Sequence, residues 1–270
     1  MQTAVNYFAV FGGLDIKLDL NKPLRTLIIR HILDDYVNIH RFFEKKTSNS
    51  TLFHKILTGI SLGDRRISTA FKRANLEYED AIDALDDLED LNFIVSETSM
   101  DFLTNQFEIN ESADKMLFTT PFLRFWFAFV APLYKGIVKK EYDEFFKKFD
   151  NYQSEFMDLI FEQLSHEYIK TIFKDDEIEE IGRYWDDDKN EINILAQTKS
   201  GKIIIGSSKY TNSKMKNTEI TKLKDLCTKL DITPDYVMLF SKGGFTNELK
   251  SQKNESLKLY TVKTLKALIL

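Results

Sequence analysis

Residues 191–210, EINILAQTKSGKIIIGSSKY, constrain the fold more than any other stretch of the chain. Two apolar runs, Ile192–Ala196 and Ile203–Ile205, flank a glycine-containing turn at Lys199–Lys202, the pattern of a β-hairpin. Elements on either side decide what the hairpin belongs to. A helical pattern at 152–173 and an apolar-rich strand at 178–185 precede it, joined by the turn DDDKN (186–190). A helix at 215–230, a strand at 235–240 and a last strand at 258–262 follow. Three meandering strands and a helical crossover to a fourth predict a mixed sheet of four to five strands with helices on its faces.

The first half reads as helical. Leu27, Ile28, Ile32, Tyr36, Ile39 and Phe43 recur at helical spacing in one predicted helix over 22–46. Residues 52–100 suggest a winged helix-turn-helix. Its helices are TLFHKILTGIS, RISTAFKRA and EYEDAIDALDDLEDLNFI, and its wing strands lie near 93–98 and 105–110. An aromatic helix is expected over 117–135, with Pro121 in its first turn and Pro132 ending or kinking it. A polar helix from 139 to about 150 then leads to the last domain. The division expected is a helical segment at 1–50, a winged helix-turn-helix at 51–115, aromatic linking helices at 116–150 and a sheet domain at 151–270. The fold class expected is therefore α+β / α/β.

Charge is unevenly spread over the 270 residues. Residues 151–188 hold 12 acidic against 3 basic side chains, whereas residues 189–270 hold 15 basic against 7 acidic. This bias reads either as solvated faces of alternating sign or, more sharply, as a basic surface near the hairpin that can meet phosphate. The third helix of the winged-helix region runs the other way. Residues 76–92 carry eight acids and no Lys or Arg, so a phosphate backbone would repel that face. This disfavours a transcription regulator that reads the major groove through it. If the region does touch nucleic acid, Arg65, Arg66 and Lys72 are the candidates, alongside Lys209, Lys214 and Lys216 near the hairpin.

Location and other chemistries are bounded by what the chain carries. One cysteine, Cys227, forms no internal disulfide and fits a reducing compartment. No basic-then-apolar leader begins the sequence, and the longest apolar run, 122–133, contains Arg124 and is too short for a bilayer. A cytoplasmic protein without membrane partners is the expectation. The four histidines (His31, His40, His54, His166) show no metal-ligand spacing, and no GxxxxGK[ST] phosphate loop exists.

A metal-dependent nuclease places an acid, an acid and a lysine on two adjacent strands, so that a hard cation can polarise a phosphate and activate water. Here those three places hold Asn193, Ser207 and Lys209. This layout resembles the PD-(D/E)XK nuclease fold. The likeness is more specific in GRYW (182–185), EINILA (191–196), GSSKY (206–210), SKGGF (241–245), PFLRFWFAFV (121–130) and FEQLSHEYI (161–169). These segments resemble, in order, the C-terminal region of the archaeal-type DEXX-box ATPases, and the likeness covers roughly residues 50–270. Residues 1–50, including FGGL, resemble the end of the ATPase module that precedes that region.

The resemblance implies Asp at position 193 and Glu at position 207, whereas Lys209 and the helix residue Glu162 match it. Without a phosphate loop, ATP hydrolysis is not implied. Losing two carboxylates beside a divalent ion removes several kcal/mol, since one unit pair at about 4 Å is worth roughly 4 kcal/mol at an effective dielectric near 20. Metal affinity should fall by several orders of magnitude. A rescue would need Glu191, on the same strand face as Asn193, together with Glu162. The expectation is a non-catalytic, nuclease-like protein with a degenerate site of Glu162, Glu191, Asn193, Ser207 and Lys209. It has no cofactor and binds a protein or DNA partner, with a separate ATPase as one candidate. The alternative is an active endonuclease using Mg²⁺ or Mn²⁺ held by Glu162 and Glu191.

Overall fold

A computed structural model describes residues 1–48, 50–103 and 114–268. The chain is α+β, with helices first and a five-stranded mixed sheet flanked by helices after them. Contacts divide it into a helical unit (3–98 and 111–156) and a sheet unit (1–2, 99–110 and 157–270). Among the described residues, no helix is long and apolar enough to cross a membrane.

The helical unit begins with α1 (Gln2–Phe11). The single helix expected over 22–46 is in fact interrupted. It consists of α2 (Leu24–Ile28), a π-turn at Ile29–Leu33 and α3 (Tyr36–Lys46). The break follows from the backbone. Asp34 N donates to Ile29 O, five residues back, at 2.8 Å, and Asp35 leaves helical geometry at φ −97°, ψ 15°. Next come α4 (Thr51–Ser61), capped by Ser50, and α5 (Ile67–Ala74), which ends on Asn75 in the left-handed conformation.

The acidic third helix is also split, into α6 (Tyr78–Ala81) and α7 (Asp83–Asp90). A tight i→i+3 bond from Leu85 N to Ile82 O marks the joint. Ala81, Ala84, Leu85 and Leu88 turn inward, while all eight acids are exposed.

A hairpin follows whose partner strand lies later than expected. β1 (Ile94–Glu97) pairs antiparallel with β2 (Lys115–Phe118), residues assigned in part to the aromatic helix by sequence. The expected wing strand at 105–110 lies outside the described residues. The aromatic helix therefore starts as α8 (Pro121–Phe125), where Thr120 accepts a capping bond from Leu123 N and Pro121 occupies the first turn. It continues through a π-turn (Trp126–Val130) and a 3₁₀ turn containing Pro132 to α9 (Tyr134–Val138).

The abundant phenylalanines build this unit's core. Tyr36, Phe43 and Phe122 pack against Trp126, and Phe43 and Phe93 pack against Phe127. Phe125 meets Phe145, Phe149 and Phe156 edge-on, and Phe129 meets Phe149 and Phe156 in the same way. Arg124 is 4 % exposed and ties the core together. Its Nε donates to Ser61 O at 2.9 Å, and its Nη1 donates to Phe156 O at 2.8 Å, over the Phe156 ring.

Two helices were expected over 139–150 and 152–173, but α10 (Asp143–Ile172) is one continuous helix of 30 residues. No Gly or Pro interrupts that span. Its first half supplies Phe145, Phe149 and Phe156 to the helical unit, and its second half supplies Phe161 and Tyr168 to the sheet unit.

The sheet unit follows the order β3 (Ile178–Trp185), β4 (Glu191–Thr198), β5 (Ile203–Lys209), β6 (Tyr236–Ser241) and β7 (Leu257–Thr261). The first three strands are antiparallel, and β6 and β7 join in parallel. Helix α11 (Thr218–Leu230) crosses from β5 to β6, and α12 (Asn247–Ser251) precedes β7. Strand alternation sorts the faces. Leu195, Ile205 and Leu239 pack with Ile220, Leu223 and Cys227 of α11. Tyr210, Phe240 and Tyr260 lie on the other face, where Phe161 and Tyr168 of α10 meet them.

Along the outer edge of β3 runs a short piece of chain. Met100 N donates to Arg183 O at 2.8 Å, and Ser99 Oγ bonds both Trp185 N and Trp185 O at 2.9 Å.

Candidate functional site

The β4–β5 register pairs Ile194 with Gly206 and Leu195 with Ile205, so strand alternation places Asn193 and Ser207 side by side on the face covered by α11. Ser207 Oγ lies 3.5 Å from Asn193 Oδ1, at the limit of a hydrogen bond. Two residues on, Lys209 projects from the same face. Gly206 is what lets β5 run this close to β6, because a Cβ there would stand 2.1 Å from Met238 O.

A residue the sequence reading did not single out completes the cluster. Glu219, in the first turn of α11, accepts a hydrogen bond from Ser207 Oγ at 2.7 Å through one carboxylate oxygen. Its other oxygen forms a salt bridge with Lys209 Nζ. Its side chain is 14 % exposed and that of Lys209 42 %. Sequence spacing alone carries no signal for this contact, because it joins a strand to the crossover helix ten residues away. His166 of α10 lies with Nε2 2.9 Å from the backbone oxygen of Asn193, which fixes the strand but leaves the Asn193 side chain facing Ser207.

The remaining candidates are placed differently. Glu162 is 5 % exposed and forms a buried salt bridge with Arg183 on β3. Glu191 is exposed at the start of β4, opposite Trp185. Arg65, a nucleic-acid candidate, proves to be a structural residue. It is 4 % exposed, donates to Met116 O at 2.7 Å and pairs with Glu97 at 3.1 Å. A side chain sunk against the hairpin in this way offers no surface to phosphate. Arg66 is half-buried beside Asp64, whereas Lys72 is exposed on α5. Cys227 is buried under the sheet, and burial pushes its thiol up to about 11.

Among the described residues, the side-chain oxygens bonded together at Ser207 are one carboxylate, one amide oxygen and one hydroxyl. A hard divalent cation takes six or more oxygens and favours carboxylates. Glu219 already carries the Lys209 ammonium, so this set does not fit a divalent ion. Among the described residues, no group of three His, Cys, Asp or Glu side chains is arranged to hold a metal.

Beside the cluster lies a cleft of about 170 Å³, whose lining includes Lys209, Thr211, Ser213, Lys214, Met215, Lys216 and Glu219. The loop that carries its lysines is pinned at both ends. Tyr210 N donates to Asp158 Oδ1 at 2.6 Å. Met215 is buried, its N–H bonding Gly244 O at 2.9 Å and its carbonyl accepting from Thr246 N at 3.0 Å. Lys214 and Lys216, on either side of it, are exposed.

The SKGGF segment serves this loop. A Cβ on Gly243 would stand 2.3 Å from Ser213 O and 2.6 Å from Asn212 O. Gly243→Ala should therefore push the two backbones apart at a cost of about 1–3 kcal/mol. The expected thermal midpoint is lower by several degrees, roughly 2–4 °C per kcal/mol for a chain of this order. An unchanged melting curve would show that the loop yields freely.

Residues 126–222 match the description of a family of archaeal and bacterial proteins of unknown function, DUF234. That span runs from the aromatic π-turn through α10 and the first three strands of the sheet into α11, and so includes Asn193, Ser207, Lys209 and Glu219. No curated protein and no solved structure matches the chain.

Proposed function

We propose that the sheet unit is a nuclease-like domain that binds its partner and does not cut it. The observation that carries this reading is the Ser207–Glu219–Lys209 cluster. In a working site of this layout the lysine is directed at the reacting phosphate and the acids at a cation. Here the Glu219 carboxylate is spent on the lysine, and the two strand positions that the PD-(D/E)XK resemblance makes acidic are neutral. What remains is a basic side, with Lys214 and Lys216 exposed next to Lys209, suited to a nucleic-acid or protein partner. The helical unit, if it is the winged helix of the DEXX-box ATPase resemblance, contributes an acidic exposed face on α6 and α7, which favours protein over duplex contacts there. A separate ATPase polypeptide is the partner that resemblance suggests.

A second reading is favoured by Glu219 itself. A carboxylate arriving from the helix within 2.7 Å of Ser207 partly replaces the acid missing from the strand, which is how an active metal-dependent endonuclease would survive the change at position 207. Supercoiled plasmid incubated with the protein and Mg²⁺ or Mn²⁺ separates the two. The expected result is intact plasmid at every metal concentration. Cleavage that disappears in Lys209→Ala would establish the endonuclease instead.

A further inference from the structure

We infer that the cleft at the start of α11 is an anion site for a single phosphate monoester, a ligand class that rests on the binding reading above and sharpens it. Charge and size argue for this ligand. The residues lining the cleft include three lysines, Lys209, Lys214 and Lys216, and one acid, Glu219. The carboxylate and Lys209 satisfy one another, so Lys214 and Lys216 leave a formal charge of +2 among the lining residues. Neither of these two lysines has an ion-pair partner among the described residues. A phosphate monoester carries about −1.5 to −2 at neutral pH and matches that charge, whereas a phosphodiester supplies only half of it.

Volume sets the second limit. At about 170 Å³ the cleft is smaller than the roughly 300–1,000 Å³ of pockets that take drug-sized molecules. A phosphoryl group fits, and the nucleoside or peptide bearing it stays outside. Thr211, Ser213 and Thr218 are among the lining residues, and their hydroxyls are of the kind that donates to phosphoryl oxygens. Thr211 and Ser213 are already oriented, their hydroxyl oxygens 3.1 Å apart. The cleft also opens at the positive end of a 13-residue helix, whose N-cap residue Asn217 makes no side-chain capping bond.

Preorganisation is the third argument. Lys214 and Lys216 flank the buried Met215, whose backbone bonds on both sides of Phe245 to Gly244 and Thr246, in the loop after β6. Two like charges two residues apart are thus held on one rigid segment without a counter-charge of their own. Natural chains place an unbalanced pair of this kind at a cost in self-repulsion, and a bound dianion removes it.

The test is titration of the full chain with inorganic phosphate in EDTA, followed by calorimetry. Saturable binding is expected, weakened by about a hundredfold or more in the Lys214→Ala, Lys216→Ala double variant, which removes two charged hydrogen bonds. The Lys222→Ala, Lys224→Ala double variant removes the same charge from exposed positions of α11 that do not line the cleft, and should bind as the parent does. A 5′-phosphorylated oligonucleotide should bind more tightly than its 5′-hydroxyl counterpart if the phosphate is a strand end. Equal binding of inorganic phosphate and the phosphorylated strand points to a free small phosphate. Three results overturn the inference: no saturable phosphate binding, equal loss in the two double variants, or a 5′-hydroxyl strand bound as well as the phosphorylated one. Because the titration is metal-free, plasmid cleavage would sink the non-catalytic reading and leave this measurement standing on its own.

Discussion

Glu162→Leu should destabilise the protein by about 3–5 kcal/mol, the usual cost of leaving one member of a buried ion pair without the other. On the order of 10 °C should be lost from the thermal midpoint. The residue is 5 % exposed and its partner Arg183 likewise 5 %, so water does little to screen either charge. Adding Arg183→Met to the same chain should recover most of the loss, because an apolar pair of similar bulk needs no compensation. This outcome also decides what the helix acid is for. A carboxylate kept for a cation could be neutralised with little effect on folding. One kept for Arg183 cannot, and the double variant alone should melt near the parent. If Glu162→Leu melts unchanged, the salt bridge is not a structural element and the acid becomes available for other roles.

Restoring the acids that the nuclease resemblance implies, Asn193→Asp with Ser207→Glu, should make the fold respond to metal. In EDTA the variant crowds three carboxylates near Lys209, because Ser207 Oγ already lies 2.7 Å from Glu219. Like charges at this distance raise the energy of the native state, and the midpoint should drop below that of the parent. Mn²⁺ or Mg²⁺ should bring it back. A ligand at about 100 times its Kd adds about 2.7 kcal/mol, which corresponds to roughly 5–10 °C in a chain of this order. The parent protein should show no such metal-dependent shift. A parent whose midpoint climbs equally with Mn²⁺ would mean that Glu219 and its neighbours already form a cation site.

How far the sequence could be read depended on whether an interaction was local. The hairpin, β3 and the helical crossover were legible because alternation and glycine turns are written within ten residues. The strand positions of Asn193, Ser207 and Lys209 followed from the same alternation. Helix continuity was less legible. Nothing in the periodicity of 22–46 announces a five-residue backbone bond at Asp34, and the polar stretch around Asn151 looked like a boundary although α10 runs through it. The hairpin strand at 115–118 was missed because Met116, Leu117 and Phe118 merge into the aromatic run that follows, and only Thr120 as a cap separates them.

Long-range pairings were invisible for a plainer reason. Glu219 meeting Lys209, Glu162 meeting Arg183 and Arg65 meeting Glu97 depend on which faces the fold brings together. A charged residue in sequence looks solvated until its partner is known. Gly243 shows the opposite limit. Its place in a recognisable segment was evident, but its reason, the carbonyls of Asn212 and Ser213 pressed against it, required coordinates.

The strip formed by Ser99 and Met100 along β3 has a bearing on solubility. An unpaired border strand presents its amides and carbonyls as a template on which another chain can lay itself. By occupying the backbone of Arg183 and Trp185, this strip blunts that template where the strand is most apolar. A fragment beginning after residue 103 would keep all five strands yet bare that border, inviting two copies to pair edge to edge through β3.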